Sequence, residues 1–583
     1  MVKREGRFLL KLTKYLRPFQ QPIYLVLFLV LLQSLAELYL PTLMSDIVDK
    51  GVVTGDTDYI WKIGGFMLLV AAGGMICSIA ASFFSAKAAS GFGKLLRSSV
   101  FSHVSKFSLH EFDLLGTSSL ITRTTNDITQ IQQVLVMMLR MMAMAPMMCI
   151  GGIIMAYSKD TKLTLVLAVS FPVLVIAIVI IARKGIPLFK AMQVKLDKLN
   201  RVLRENLTGI RVIRSFNRTD HEKKRFNEAN WDLTQTAIKV NKLMAAMMPI
   251  MMLVLNLSTV AIIWFGGLRI SNGHMQVGDM MAFIQYAMQI MFSFVMLSMM
   301  FVMIPRASVS AVRINEVLET VADINDRSVS MSVESVRGLV EFKDVTFSYP
   351  GAEMPAIENI SFKMKPCEVT AIIGGTGSGK STLINLIPRF YDADSGTVLV
   401  DDVDVREMTQ ERLREKIGFV PQQAVLFTGT ISENIRYGKE NATEDEVKHA
   451  ADIAQATDFI SAMDEGFDAM IAQGGTNVSG GQKQRLSIAR ALVRQPEIYI
   501  FDDSFSALDF KTDAKLRYAL KQETVDSTVL IVAQRVSTIM DADQIIVLDN
   551  GRISGIGKHK ELLDKSPVYR EIVMSQLSEE EIA

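Results

Sequence analysis

The chain has 583 residues, 49% of them hydrophobic, and 62 Lys and Arg offset 61 Asp and Glu to a formal charge of +1. It is too apolar for a disordered chain and too charged for one lying wholly in lipid, and its balanced charge leaves no basic footprint for nucleic acid. Three cysteines, Cys77, Cys149 and Cys367, stand too far apart to indicate a disulfide framework or a clustered metal site.

The N-terminal arm is basic, with Phe8, Leu9, Leu12, Tyr15 and Leu16 at helical spacing, as in an interfacial helix leading into a membrane span. Six long apolar runs come after it, each able to cross a bilayer as a helix. They predict spans at about 19–40, 60–86, 134–158, 162–183, 243–269 and 279–305. The first is not read as a signal peptide, because no small-residue cleavage site follows it and five more spans do.

The connections set the orientation, since Lys and Arg gather on the cytoplasmic side. Asp46, Asp49, Asp56 and Asp58 mark the first connection as outside, and the segment 183–242 carries 15 Lys and Arg against 6 Asp and Glu, so it lies inside. Both chain ends are therefore expected in the cytoplasm. Val194, Leu196, Leu199, Val202 and Leu203 keep a helical rhythm that carries the fourth span well beyond the membrane. The membrane half is assigned to 1–322 and a Ser- and Asp-rich linker to 323–336, after which short apolar segments bounded by turn residues predict a soluble α/β domain over 337–583.

In that domain Gly374-Gly375-Thr376-Gly377-Ser378-Gly379-Lys380-Ser381 matches G-x-x-x-x-G-K-[ST] between a buried-type strand, Val369 to Ile373, and a helix opening at Thr382. Glycines let backbone N–H groups curl around phosphates, Lys380 can reach the outer phosphates and Ser381 can hold Mg²⁺. Farther on, Ile498-Tyr499-Ile500-Phe501-Asp502 is a hydrophobic strand ending in a carboxylate suited to the same metal. Between them, Ser479-Gly480-Gly481-Gln482 opens a second helix with an anion-binding start, which implies a facing copy of the domain.

With these motifs on six spans, the chain resembles an exporter-type ATP-binding cassette half-transporter. The resemblance implies a membrane all-α domain, with long cytoplasmic helix extensions, fused to a P-loop ATPase domain that carries a helical subdomain. It also implies ATP and Mg²⁺ as ligands and a second half-transporter as partner, in contact with membrane lipids and a hydrophobic small-molecule substrate, at a bacterial plasma membrane. Tyr349 matches the aromatic that stacks on adenine, Gln422 the glutamine that senses Mg²⁺, Ser479 to Gln482 the signature with Val478 where leucine is usual, and Ser506-Ala507-Leu508-Asp509 the loop joining two sites. Segments 112–126 and 209–217 resemble the inner loops whose short coupling helices sit on ATPase domains.

Three positions depart from the family pattern. Asp503 replaces the glutamate that polarises water, Gln534 replaces the switch histidine before Arg535, and Gln473 replaces a glutamate ahead of the signature. Shortening that side chain by one methylene misplaces the carboxylate by about 1.5 Å, an error that can cost roughly 100-fold in rate. The pattern resembles the slowly hydrolysing subunit of heterodimeric multidrug exporters. A homodimer using Asp503 as a slow base, a lipid or peptide exporter, and a nucleotide-gated sensor or channel are the alternatives.

The 35 methionines crowd the third, fifth and sixth spans, among them Met144, Met247, Met288, Met299 and Met300. Flexible thioethers suit a cavity that repacks around differently shaped apolar ligands. Glu37, within the first span, is the acid expected to bear on cation selectivity. The net charge conceals a basic half and an acidic half: residues 1–330 hold 35 Lys and Arg against 21 Asp and Glu, and residues 331–583 hold 27 against 40.

Overall fold

A computed structural model describes residues 11–326 and 338–577, apart from the side chains at 298–302 and 305. Phe8, Leu9, most of the 323–336 linker and the side chains of Met299 and Met300 lie outside the described residues. The chain forms two compact units, one of Met1–Ser105 with Ser118–Thr320, the other of Lys106–Thr117 with Val321–Ala583.

Six helical segments of the first unit are long and apolar enough to cross a membrane: Thr13–Val52, Thr57–Val104, Thr117–Lys159, Thr164–Thr208, Thr219–Ser271 and the helix from Val277. Within their most apolar windows only 6% of the second and 39% of the sixth is buried inside the chain. Apolar surface left open on this scale belongs against lipid or another chain. The sixth helix continues to Glu319, and the fourth and fifth run 45 and 53 residues, far longer than a bilayer requires.

Charged and polar residues tie the helices at both ends. At one end Lys159 Nζ donates to Asp279 at 2.7 Å and to Ser45 Oγ at 3.2 Å, while Asp160 accepts the N–H of Leu163, just before the fourth helix, at 2.7 Å and pairs with Arg269 of the fifth at 2.5 Å. At the other, buried Arg123 pairs with Glu316 at 2.8 Å and buried Asp127 with Arg313 at 3.2 Å. Buried charges are tolerated because each is matched. Two turns of the third segment, Arg123–Asp127 and Met138–Met142, are π-helical. The exposed short helix Ile210–Ser215 joins the fourth and fifth helices and leaves Val212 and Phe216 uncovered.

In the second unit a six-stranded sheet runs in the order Arg552–Gly557, Gln544–Asp549, Val369–Gly374, Thr528–Val532, Ile498–Asp502, Ile417–Val420. Its strands are parallel except for the first pair. Four of the strands are apolar and almost fully buried, the pattern of strands covered on both faces. A four-stranded sheet built on Val340–Phe347 shares one hydrophobic core with this sheet. The helices from Ile431 to Leu492 form a helical subdomain around a second core. The strand order places Thr528–Val532 between the strands that end at Gly374 and at Asp502, so their carboxyl ends, where ligands gather in open α/β sheets, lie side by side.

Candidate nucleotide site

The loop from Gly374 to Gly379 follows its strand and delivers Lys380 to the start of helix Lys380–Leu386. Gly377 and Gly379 have φ of +83° and +95°, a conformation that glycine adopts without strain. Lys380 Nζ donates to the carbonyls of Gly374 at 2.9 Å and Gly375 at 2.8 Å, folding back over the loop, and burial lowers its pKa. Thr376 and Gly375 are exposed, Thr382 is buried, and Ser378 Oγ is buried without a partner among the described residues.

Opposite the loop, Ser381 Oγ and Asp502 Oδ1 are 3.4 Å apart, and burial pushes the Asp502 carboxyl above its usual range. An open cradle of glycines, an unsatisfied buried hydroxyl, a lysine and a hydroxyl–carboxylate pair fit a nucleoside triphosphate with Mg²⁺. Lys380 and the loop N–H groups would face the phosphates, with Ser381, Asp502 and Gln422 toward the metal. Tyr349 lies by the loop, half-exposed, its hydroxyl 3.1 Å from Thr382 Oγ1.

The structure brings two of the departing positions, Asp503 and Gln534, into contact. Gln534 Nε2 donates to Asp503 Oδ2 at 2.8 Å, and Gln422 Nε2 reaches the same oxygen at 3.4 Å. Asp503 has φ of +47° and its N–H donates to Val532 C=O at 3.0 Å, which ties it to the end of the neighbouring parallel strand. Burial raises its carboxyl, against hydrogen bonding and the nearby Lys380 charge.

Ser479 to Gln482 form a separate feature. Ser479 caps helix Gly480–Leu492, receiving the N–H of Gln482 while its own N–H donates to Gln482 Oε1 at 2.8 Å. Gly480 is open to solvent, and a Cβ at Gly481 would stand 3.2 Å from Ala507 C=O and 3.6 Å from Leu508, so this turn adjoins the 506–509 loop. That loop is held by Ser506 Oγ donating to Asp503 C=O, while Asp509 caps the next helix. Buried Val478 fills the usual leucine position, and Gln473 is exposed.

Sequence reasoning missed Tyr391. Its ring packs edge-on to Tyr349 with centroids 5.5 Å apart, and its hydroxyl donates to Asp113 Oδ2 at 3.4 Å. Burial, then Asp113, pushes its pKa up to about 12. Asp113 lies on helix Leu109–Leu115, which Glu111 also fastens by accepting the N–H of Asp323 at 3.0 Å, with His110 Nδ1 2.9 Å from the Asp323 carboxylate. The contact spans 278 positions, so no local pattern in the sequence announces it. Tyr391→Phe and Asp113→Ala are each expected to destabilise the ATPase unit slightly, with a coupling of about 1 kcal/mol in a denaturant double-mutant cycle. Strictly additive effects would break the proposed link.

A membrane domain of six spanning helices joined to a P-loop nucleotide-binding domain defines a nucleotide-driven membrane transporter. Residues 23–294 match the ABC transporter transmembrane region and residues 357–506 the ABC transporter family. The chain is 45% identical to an uncharacterized ABC transporter ATP-binding protein of Mycobacterium tuberculosis, with 97% of each chain covered. It is 31% identical to a Bacillus subtilis protein named as a candidate multidrug export ATP-binding/permease protein, covering 97% of this chain and 98% of that one. A bacterial Atm1-family ABC exporter with ATP bound superposes with a TM-score of 0.80 at 26% identity, covering 96% of this chain and 99% of the other. The chain belongs to the ABC transporter family, as a multi-pass, ATP-hydrolysing half-transporter of exporter fold.

Proposed function

We propose that the chain is one half of an exporter that moves hydrophobic or amphiphilic compounds, drugs foremost, out of a bacterial cell, with both chain ends in the cytoplasm. Its own nucleotide site hydrolyses slowly, and its Ser479–Gln482 turn completes a competent site on a different half-transporter. The observation that carries this reading is the Asp503 carboxylate, which holds two amide donors on one oxygen. A base must present a free lone pair to the attacking water within hydrogen-bond reach. Here the side chain is short and one oxygen is occupied. Gln534 can donate a hydrogen bond but carries no proton to release and no charge to place near the γ-phosphate.

When bound, ATP supplies the phosphoryl group whose loss resets the cycle. Lys380 and the loop amides would hold the phosphates, Ser381 and Asp502 would hold Mg²⁺, Tyr349 would stack on adenine, and Gln422 would sense the metal. Closure of the two ATPase domains passes to the membrane helices through helix Leu109–Leu115 and through helix Ile210–Ser215, the latter seated on the partner, and turns the cavity from inside to outside. The methionines of the third, fifth and sixth helices support an adaptable apolar cavity.

Purification from native membranes tests the pairing. The expected result is a second half-transporter in equal amount, with Glu and His at the positions of Asp503 and Gln534, and one ATP retained per pair after turnover ends. A homodimer would overturn the assignment.

A further inference from the structure

We propose that Glu37, with Gln33 and Gln289, forms a binding point for the protonated amine of an amphiphilic ligand, an inference that rests on the export reading above. Glu37 lies nine residues before Asp46 on the first helix, about 13 Å from that charged end at the helical rise, and thus at hydrocarbon depth. A carboxylate at that depth is costly unless a partner offsets it. Among the described residues its side chain has one polar contact, from Gln33 Nε2 at 2.9 Å, and forms no ion pair.

Two buried polar atoms beside Glu37 have lone pairs that nothing in the described residues uses. Gln289 of the sixth helix spends its amide N–H on the Glu37 backbone carbonyl at 3.2 Å, and its Oε1 is buried with no partner. Ser34, one helical turn from Glu37 on the same face, has a buried Oγ that is likewise unpartnered. Gln33 is itself 91% buried, its relative exposure being 9%. An unused amide oxygen and the free lone pairs of a hydroxyl, beside a carboxylate with no cation, suit a positively charged N–H donor. A quaternary cation would satisfy the charge but not the acceptors.

The shape of the sixth helix indicates where the rest of the ligand lies. Met281, Gln285, Met288 and Phe292 form one open stripe along it, and Gln289 flanks that stripe. Two thioethers and an aromatic ring on an uncovered face suit the apolar body of an amphiphile whose amine reaches Glu37.

The test is equilibrium binding of dansylcadaverine, a primary amine, and of its N-acetyl derivative, a neutral compound of nearly equal size, to the assembled transporter in nanodiscs. Wild type is expected to favour the amine about tenfold or more, the size of a good charge-assisted contact. Glu37→Gln should erase that preference while leaving the acetylated compound within about twofold, and Glu37→Asp should retain most of it. Equal losses for both compounds, an unchanged preference in Glu37→Gln, or no preference in wild type would overturn the site. If Glu37→Gln does not fold, wild type and Glu37→Asp decide by the same preference. Amine binding without ATP-driven dye movement in vesicles would sustain the site and overturn the export reading.

Discussion

In the assembled transporter, Ser479→Arg lowers steady-state ATP turnover by about 100-fold or more, whereas Asp503→Asn lowers it by less than about twofold. Arginine at position 479 destroys the cap that holds helix Gly480–Leu492 and sets a bulky cation where the Ser479 hydroxyl and open Gly480 stand. If that turn serves the partner's phosphates, the fast site is lost. Asp503→Asn removes the carboxylate charge but leaves one oxygen able to accept the amides of Gln422 and Gln534, so a site that contributes little turnover loses little. A colorimetric phosphate assay on the purified pair reads both numbers. The reverse ranking would show that Asp503 is the working base.

The second large effect is expected within the phosphate loop. A Cβ on Gly374 would stand 2.2 Å from the Leu548 carbonyl oxygen and 2.6 Å from Ser378 Oγ, and the first of these is backbone of a neighbouring strand that cannot step aside. A Cβ on Gly375 meets nothing within 4 Å. Gly374→Ala therefore forces the strand ends apart, at a cost of about 2–3 kcal/mol, and lowers the melting temperature of the nucleotide-free protein by about 5–10 °C. It should also weaken ATP binding by about 100-fold, because the loop amides no longer converge on the phosphates. Gly375→Ala should leave that melting temperature unchanged. Thermal unfolding with and without ATP separates the two variants, and equal melting temperatures would contradict the packing at Leu548.

Much of the architecture was readable because it is written in runs and local motifs. Apolar stretches longer than a bilayer's thickness locate the helices wherever the third dimension places them. The loop over 374–381 carries its strand and helix within a few residues, and Asp502 ends a five-residue strand whose other four residues are apolar or aromatic. The contact between Asp503 and Gln534 was not readable, although both positions stood out as departures. Only the strand order, with Thr528–Val532 laid beside Ile498–Asp502, brings residues 31 positions apart to 2.8 Å. The same holds for Arg123 and Asp127, which are buried and paired with the sixth helix. Sequence hydropathy assigns charge to solvent by default, and only the facing helix can supply the exception.

The π turns Arg123–Asp127 and Met138–Met142 make the third helix a screw with two slipped threads. Each takes in one residue beyond an α-helical turn, so the helix past the bulge is rotated by about 100° relative to an unbroken one. Sliding such a bulge one turn along reorients only the residues between its old and new positions, while both ends of the helix and most of its backbone hydrogen bonds stay in place. Met144, Met147 and Met148 come directly after the second bulge, so a short slip would wheel their thioethers from one neighbour to another without any helix leaving its place in the bundle.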